Sequence, residues 1–438
     1  MRAPSQTMPG HDHLRPEPPP EPREHRRYFR GPARTLLGVA LTFALLLTFG
    51  CGKGGGVQEI VFWQFWPTEV IDPLLRKFEQ EHPGTTVRME QLTWQSGLEK
   101  ITAAMASGNV PDLCELGSTW MPRMLHADAL SDWSAGVADL KPQLRGWEIC
   151  SIGDATYGVP WVLGTRALFY NKTLFAQAGL DSTKPPETWE ELLAAADRIN
   201  RLGGGIRGFG AQAGERYVLF KKFMPFAWGN GGTILSDDLT RSTFDSRENS
   251  EALAFYLQLA KAGVLDRQDV LDREFKEGHL GLSISGAWLF KSIPKDAPAL
   301  RYGVALVPAP DRDRGTHASF AGGEMLVSFK GSKRKQAALE LARFLVRPEN
   351  ALALAQAAKS VQPATLGADT AAYYREHPDE QLMIRQFATA YPTPNHPAWV
   401  EMEAVIEDEV EQALYGKKTA AQAVADASVK LDELVGKK

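Results

Sequence analysis

The chain has 438 residues, 44% of them hydrophobic and 23% charged, with a formal net charge of −4. That length accommodates two domains of ordinary size. With no basic excess to neutralise phosphates, the composition excludes a nucleic-acid footprint as the organising feature.

The first 50 residues stand apart, with seven arginines against four acids, the stretch "RPEPPPEPRE" and no apolar periodicity before Leu36. They cannot bury a core and read as a disordered or removed extension, the metal-capable "HDH" of 11–13 included. Thr35–Phe49, "TLLGVALTFALLLTF", runs 15 residues without a charge. At about 1.5 Å per residue this falls short of the ~30 Å hydrocarbon core of a membrane. Arg26, Arg27, Arg30 and Arg34 precede it, the order of a secretory signal, so 1–50 is expected to be a signal peptide with an N-terminal extension. Cys51 follows Gly50 and opens "CGKGGG" (51–56). This resembles a bacterial lipoprotein box, whose cysteine is lipidated, with the glycines as a flexible tether. Thr48 and Phe49 depart from the leucine and small residue of such boxes, so cleavage without lipidation remains the alternative.

Beyond the tether, "EIVFWQFW" (59–66) has the β-branched and aromatic content of a strand. "EVIDPLLRKFEQEHPG" then places Val70, Ile71, Leu74, Leu75 and Phe78 on one helical face, with Pro83-Gly84 as the stop. "TTVRMEQ" alternates as a strand, "SGLEKITAAMASG" returns to helical spacing, and "PDLCELG" reads as a strand. The resulting βαβαβ order predicts a parallel sheet covered on both faces. After "YGVPWVLGTRALFYNK", Thr188 and Glu191 match a capping box that opens a helix running through Leu202. Strand-like "GHLGLSISG" and "LRYGVALVPAP" follow. Trp399, Met402, Ile406, Val410 and Leu414 share a helical face, and "TAAQ" (419–422) opens a last helix with a second capping box. Cys114 and Cys150 are either one disulfide or two buried thiols; neither has the spacing of a metal site.

No HExxH, GxSxG or Walker A pattern occurs. "GGGIRG" (203–208) matches a dinucleotide fingerprint but follows a helix instead of a strand, so it reads as a helix end and turn. The positive signal is aromatic. Of eleven tryptophans, several lie beside glycine, proline or polar residues: "FWQFWPTE", "GVPWVLG", "FAWGNGG", "SGAWLF" and "NHPAWVE". A sugar presents flat C–H faces and a rim of hydroxyls, so its site needs aromatic walls with polar partners in the plane. Gln64, Glu69, Glu115, Asn171, Asn230 and Glu324 are so placed.

From Val57 onward, the ordered series "VFWQFWPTE", "GNVPDLCELGSTW", "YGVPWVLGTRALFYNK", "PETWEELLAAADRI", "WGNGGTI", "LGLSISGAWL", "YGVALVPAP", "FAGGEMLVS" and "AALELARFLVRPEN" resembles family 1 of the extracellular solute-binding proteins. These are sugar-binding components of ATP-binding-cassette (ABC) importers, similar to the maltose-binding protein. The resemblance implies an α/β, two-lobed periplasmic-binding-protein-like (type II) fold with a hinge and an interlobe ligand cleft. It implies crossings near Gly164–Leu168, Thr316–Phe320 and Ser360–Ala364. The N-terminal lobe would be 57–165 plus 319–361, and the C-terminal lobe 166–317 plus 363–438. The ligand-binding residues it implies are Gln64 and Trp66, then Glu115, Ser118 and Trp120, then Trp161 and Arg166 at the first crossing. Trp228 and Asn230, Trp288, the turn Gly322, Gly323 and Glu324, and Trp399 complete the set.

The expected function is capture of a sugar or oligosaccharide by hinge closure and delivery to the permease subunits of an ABC importer. The expected protein is an extracytoplasmic monomer held to the membrane by a lipid on Cys51, with no enzymatic activity, cofactor, metal or nucleic-acid partner. The alternatives are a binding protein for a non-sugar solute such as glycerol phosphate or a polyamine, and an exported glycoside hydrolase.

Overall fold

The alternating residues of QEIVFWQ form β1 (Gln58–Gln64), the first strand of a computed structural model that describes residues 57–436. The signal segment, HDH, Cys51 and the tether lie outside the described residues. α1 (Thr68–Glu81) buries Val70, Ile71, Leu74, Leu75 and Phe78, the stripe read from the sequence. β2 (Thr85–Gln91), α2 (Gly97–Ser107) and β3 (Leu113–Gly117) complete the βαβαβ unit, with β1 parallel to both neighbours. β4 (Val159–Gly164) ends this first half, and β5 (Ala167–Asn171) begins in a different sheet.

The second half holds β6 (Arg207–Gln212), α3 (Phe220–Gly229), β7 (Gly263–Asp266), α4 (Gln268–Lys276), β8 (Leu280–Ser285), α5 (Trp288–Asp296) and β9 (Tyr302–Ala305). Next come β10 (Ser319–Phe320), β11 (Gly322–Val327), β12 (Gln362–Pro363) and β13 (Ala390–Tyr391). α6 (Trp399–Leu414) and α7 (Ala420–Val435) close the chain.

Two α/β lobes result. The sheet of the first runs β12-β4-β11-β3-β1-β2 and that of the second β9-β5-β8-β6-β7, while β10 pairs with β13 apart from both. Neither sheet is wholly parallel, which corrects the parallel expectation. β11 enters the first sheet antiparallel between β3 and β4, and β8 lies parallel to β6 but antiparallel to β5. Each lobe packs apolar side chains against its sheet, Phe62, Leu113, Leu326 and Phe344 in the first and Phe209, Phe223, Tyr256 and Leu282 in the second.

The capping boxes differ. Thr419 and Gln422 bond reciprocally, whereas Thr188 Oγ1 accepts the Glu191 N–H and the Glu191 carboxylate reaches Glu187 N–H instead. That helix ends at Asn200, and "GGGIRG" forms the turn after it, with left-handed φ at Gly203, Gly204 and Gly205 leading into β6. Cys114 and Cys150 are separate buried thiols, so the disulfide alternative is set aside. Among the described residues no helix is long and apolar enough to cross a membrane.

Only Thr165 and Arg166 separate β4 from β5. Fully buried Ser319 ties this crossing to the later one. Its Oγ accepts the Arg166 N–H (3.2 Å) and the Thr165 Oγ1–H (3.0 Å) and donates to Arg166 O (2.7 Å). The lobes also touch away from these crossings. Arg123 pairs with Glu401 at 3.0 Å, Asn395 donates to Ser151 O at 3.2 Å, and Val400 packs into the first lobe's cluster with Trp120 and Leu125.

Candidate functional site

The ends of β1 and β3 set Gln64 and Glu115 side by side, both fully buried. Glu115 Oε2 accepts the Phe65 N–H at 2.7 Å, and Gln64 Oε1 accepts the Trp66 N–H. Of their remaining polar atoms, Gln64 Nε2 is buried without a hydrogen-bond partner, while Glu115 Oε1 and Trp66 Nε1 are buried and make no well-aligned hydrogen bond, although the indole is close enough to act on the carboxyl. β11 contributes Glu324, whose Oε2 is likewise unpartnered. Burial first, then the Glu324 charge, drives the Glu115 carboxyl well above the ordinary range, opposed by the Phe65 N–H and the Trp66 indole. Burial holds Glu324 at about 7, against the pull of Arg166 and then Lys221.

Glycine lets β11 run here. A Cβ on Gly323 would stand 2.2 Å from Val162 O, and one on Gly322 would stand 2.2 Å from the Phe320 ring. Ser118 closes the turn, accepting the Gly323 N–H at 3.3 Å and donating its own backbone N–H to Gly323 O.

The second lobe supplies Trp288 at the start of α5. Asp272 accepts its indole N–H at 2.7 Å and also takes Gln268 Nε2 (2.7 Å) and Ser285 Oγ (3.2 Å). Arg166 lies 4.8 Å from the Trp288 ring centre and 5.7 Å from that of Phe320. Burial lowers Arg166 to about 10, opposed by Glu324 and Asp272, and its Nε has no partner. Lys222 donates to Ile284 O at 2.7 Å over the Trp288 ring, and burial lowers its ammonium well below the usual range. Lys221 sits 5.4 Å from the Phe320 ring centre and is also lowered by burial, opposed chiefly by Glu403. Glu403 on α6 is fully buried with both oxygens unpartnered, and burial raises it to about 8.

Gln64, Trp66, Glu115, Ser118, Arg166, Trp288, Gly322, Gly323 and Glu324 thus come together. Others named from the sequence stand behind this wall. Trp161 is fully buried and meets Trp66 edge-on at 6.5 Å. Trp399 and Trp228 flank Phe220 at 5.2 and 5.7 Å, and Phe220 stands edge-on to Phe320. Trp228 also stacks on Tyr391. Trp120 packs on Phe65 and Trp94. Asn230 commits its amide N–H groups to Glu248 O and Glu251, Asn171 caps a helix through Thr173 and Leu174 N–H, and Glu69 is exposed in the first turn of α1.

Lys221, Lys222, Asp272 and Glu403 were missed, because their neighbours in sequence are ordinary helix residues. Trp94 was missed too: 47% exposed, it stacks on Phe65 at 4.0 Å and 12° beside Gly117. Its signal was a tryptophan in the polar loop after β2. Among the described residues, the acids and histidine that could hold a metal are Glu274, Glu277 and His279, half-buried to exposed and within 4.8 Å of one another at the end of α4.

Residues 62–352 match the family model of the bacterial extracellular solute-binding proteins. A binding protein of Brucella abortus is 28% identical over 381 residues, covering 84% of this chain and 90% of its own. The sn-glycerol-3-phosphate-binding periplasmic protein of Salmonella paratyphi A is 25% identical, covering 92% and 97%. Among solved structures, an ABC transporter solute-binding protein from Thermotoga lettingae bound with α-D-tagatose aligns with TM-score 0.77 at 26% identity, covering 86% of this chain and 100% of that one. The cyclic α-maltosyl-1,6-maltose binding protein from Arthrobacter globiformis aligns with TM-score 0.78 at 25% identity, covering 87% and 100%.

Proposed function

The chain belongs to the bacterial extracellular solute-binding proteins, and from that premise we propose that it captures a sugar or oligosaccharide between its lobes and delivers it to an ABC-type importer. One observation carries the choice of a sugar. Buried polar atoms without hydrogen-bond partners, at Gln64, Trp66, Glu115, Arg166, Glu324 and Glu403, gather beside the rings of Trp66, Trp288 and Phe320. Leaving such atoms unpaired costs about 1–3 kcal/mol each. A polyhydroxylated ring pairs them while its C–H faces cover the aromatic walls.

The glycerol-phosphate reading draws on the Salmonella relative and on Arg166 and Lys221. The three carboxyls weigh against it, because an ionised phosphate repels each of Glu115, Glu324 and Glu403 in its charged form. The sugar-bound Thermotoga neighbour favours the reading adopted. We take the lobes as 57–165 plus 319–361 and 166–317 plus 363–438, with β12 (Gln362–Pro363) at the third crossing still paired to the first sheet. They close about the crossings through contacts that the ligand makes better in the closed form. The protein works as a monomer outside the cytoplasm, tethered through a lipid on Cys51, and cleaves no bond.

A thermal-shift screen of mono- and oligosaccharides, sn-glycerol 3-phosphate and spermidine tests this, since a ligand that binds only the native state raises its apparent stability. A sugar should raise the melting temperature and be recovered intact. A response to glycerol phosphate or spermidine alone overturns the sugar reading, and recovery of shortened oligosaccharide overturns the non-enzymatic one.

A further inference from the structure

Among the site's acids, Glu115 has the least compensated charge. Asp272 is held by three side-chain donors, and Glu407 accepts the backbone N–H groups of Tyr217 (2.9 Å) and Phe220 (3.1 Å). Glu324 feels Arg166 and Lys221, and Glu403 feels Lys221. Glu115 is fully buried, has one oxygen on the Phe65 N–H, has only the Trp66 indole close to its carboxyl besides, and faces Glu324. Among the described residues no lysine or arginine is ion-paired with it. An isolated buried carboxylate is expensive unless a cation or several donors meet it. The Trp66 indole stands beside it, and an indole face attracts cations as well as sugar faces.

Resting on the sugar reading above, we propose that the ligand carries a basic nitrogen, an amino sugar or aminated oligosaccharide whose ammonium donates to Glu115 Oε1. The hydroxyls of the same ring then serve Glu324 and Glu403 and accept from Gln64, Arg166 and Lys221. The cation supplies the charge that the protein withholds from Glu115, and a neutral sugar leaves that carboxyl to find its own proton. The same ammonium discriminates against phosphate-bearing ligands, which bring a second negative charge to a site already rich in carboxylates.

The test is calorimetric titration of the full chain with matched pairs: glucosamine and glucose, galactosamine and galactose, mannosamine and mannose, and the chitosan disaccharide with cellobiose. Each pair differs only in bearing an ammonium or a hydroxyl at the second carbon of each ring. At least one amino member should bind about tenfold or more tightly than its neutral partner, the usual yield of a charged hydrogen bond. Glu115→Gln, which keeps the acceptor for the Phe65 N–H, should bring that ratio to near one. Neutral members binding as well as or better than amino members overturns the proposal and leaves the sugar reading standing. Binding of sn-glycerol 3-phosphate or spermidine alone, or of nothing in the panel, overturns it, and the first two overturn the sugar reading with it. A preference that survives in Glu115→Gln, with an unchanged melting temperature, overturns the role of Glu115.

Discussion

Glu115 and Glu324 are diagonal neighbours on one face of the first sheet. Glu115 on β3 pairs with Leu326 on β11 while Glu324 pairs with Gly117, so the two carboxyls rise side by side from antiparallel strands. The Glu324 charge disfavours ionisation of Glu115, and burial does so more strongly.

A pH dependence of stability follows. The ordinary value for these side chains is 4.5, while in the folded protein Glu324 stands at about 7 and Glu403 at about 8. Between those values the native state holds protons that the unfolded chain has released, so stability falls as pH rises through the window. Melting temperature should decline from pH 5 to pH 8, with a loss of stability on the order of 5 kcal/mol. Glu324→Gln and Glu403→Gln should each flatten the slope, and an unchanged slope in both would refute the assignment.

Trp288→Ala should weaken sugar binding by roughly tenfold to a hundredfold, through loss of a stacking face, and leave unfolding cooperative, since the side chain is only half buried. Calorimetry with the sugar identified by the screen decides this; undiminished affinity would remove Trp288 from the site.

Much of this architecture was legible from local pattern. The apolar stripe of α1 and the box at Thr419 depend on residues a few positions apart, where periodicity and side-chain reach are decisive. The insertion of β11 between β3 and β4 was not, because it joins segments some 200 residues apart in sequence. Lys221 and Lys222 were also invisible. Nearly all of α3 is buried, so the helix has no clean polar face from which two inward lysines would stand out. Trp288 and Glu324 could be named because glycine neighbours mark close approach.

Gly323→Ala should destabilise the first sheet by about 1–3 kcal/mol, because the added methyl meets a strand carbonyl that cannot move without breaking register. Denaturant titration reads this directly, and a wild-type midpoint would show that the strand yields.

Glu401→Ala removes the ion pair across the lobes. Both partners are more than 40% exposed, and such pairs contribute about 0–1 kcal/mol, so the closed-to-open ratio should fall by up to about fivefold. Small-angle scattering should show a larger radius of gyration, and the double exchange Arg123→Glu with Glu401→Arg should restore it.

The thiols should be inert. Burial lifts Cys150 to about 12 and Cys114 well above its usual range, and the thiolate is the reactive form. A thiol reagent should modify neither residue in the native protein and both after unfolding. Failure to find both in denaturant would restore the disulfide.

The hydrogen bonds from Ser319 to both backbone groups of Arg166 bear on how the protein moves. Two independent strands between rigid bodies permit twisting and sliding as well as bending. The first two of the three crossings, pinned to each other at one point, share a single pivot, which favours one principal swing over twisting or sliding. Arg166 is itself that pivot, and its side chain reaches the Trp288 face. On the sugar reading proposed above, a ligand on that face would press on the axle of the hinge, so that filling the site and turning the lobes would become one mechanical event.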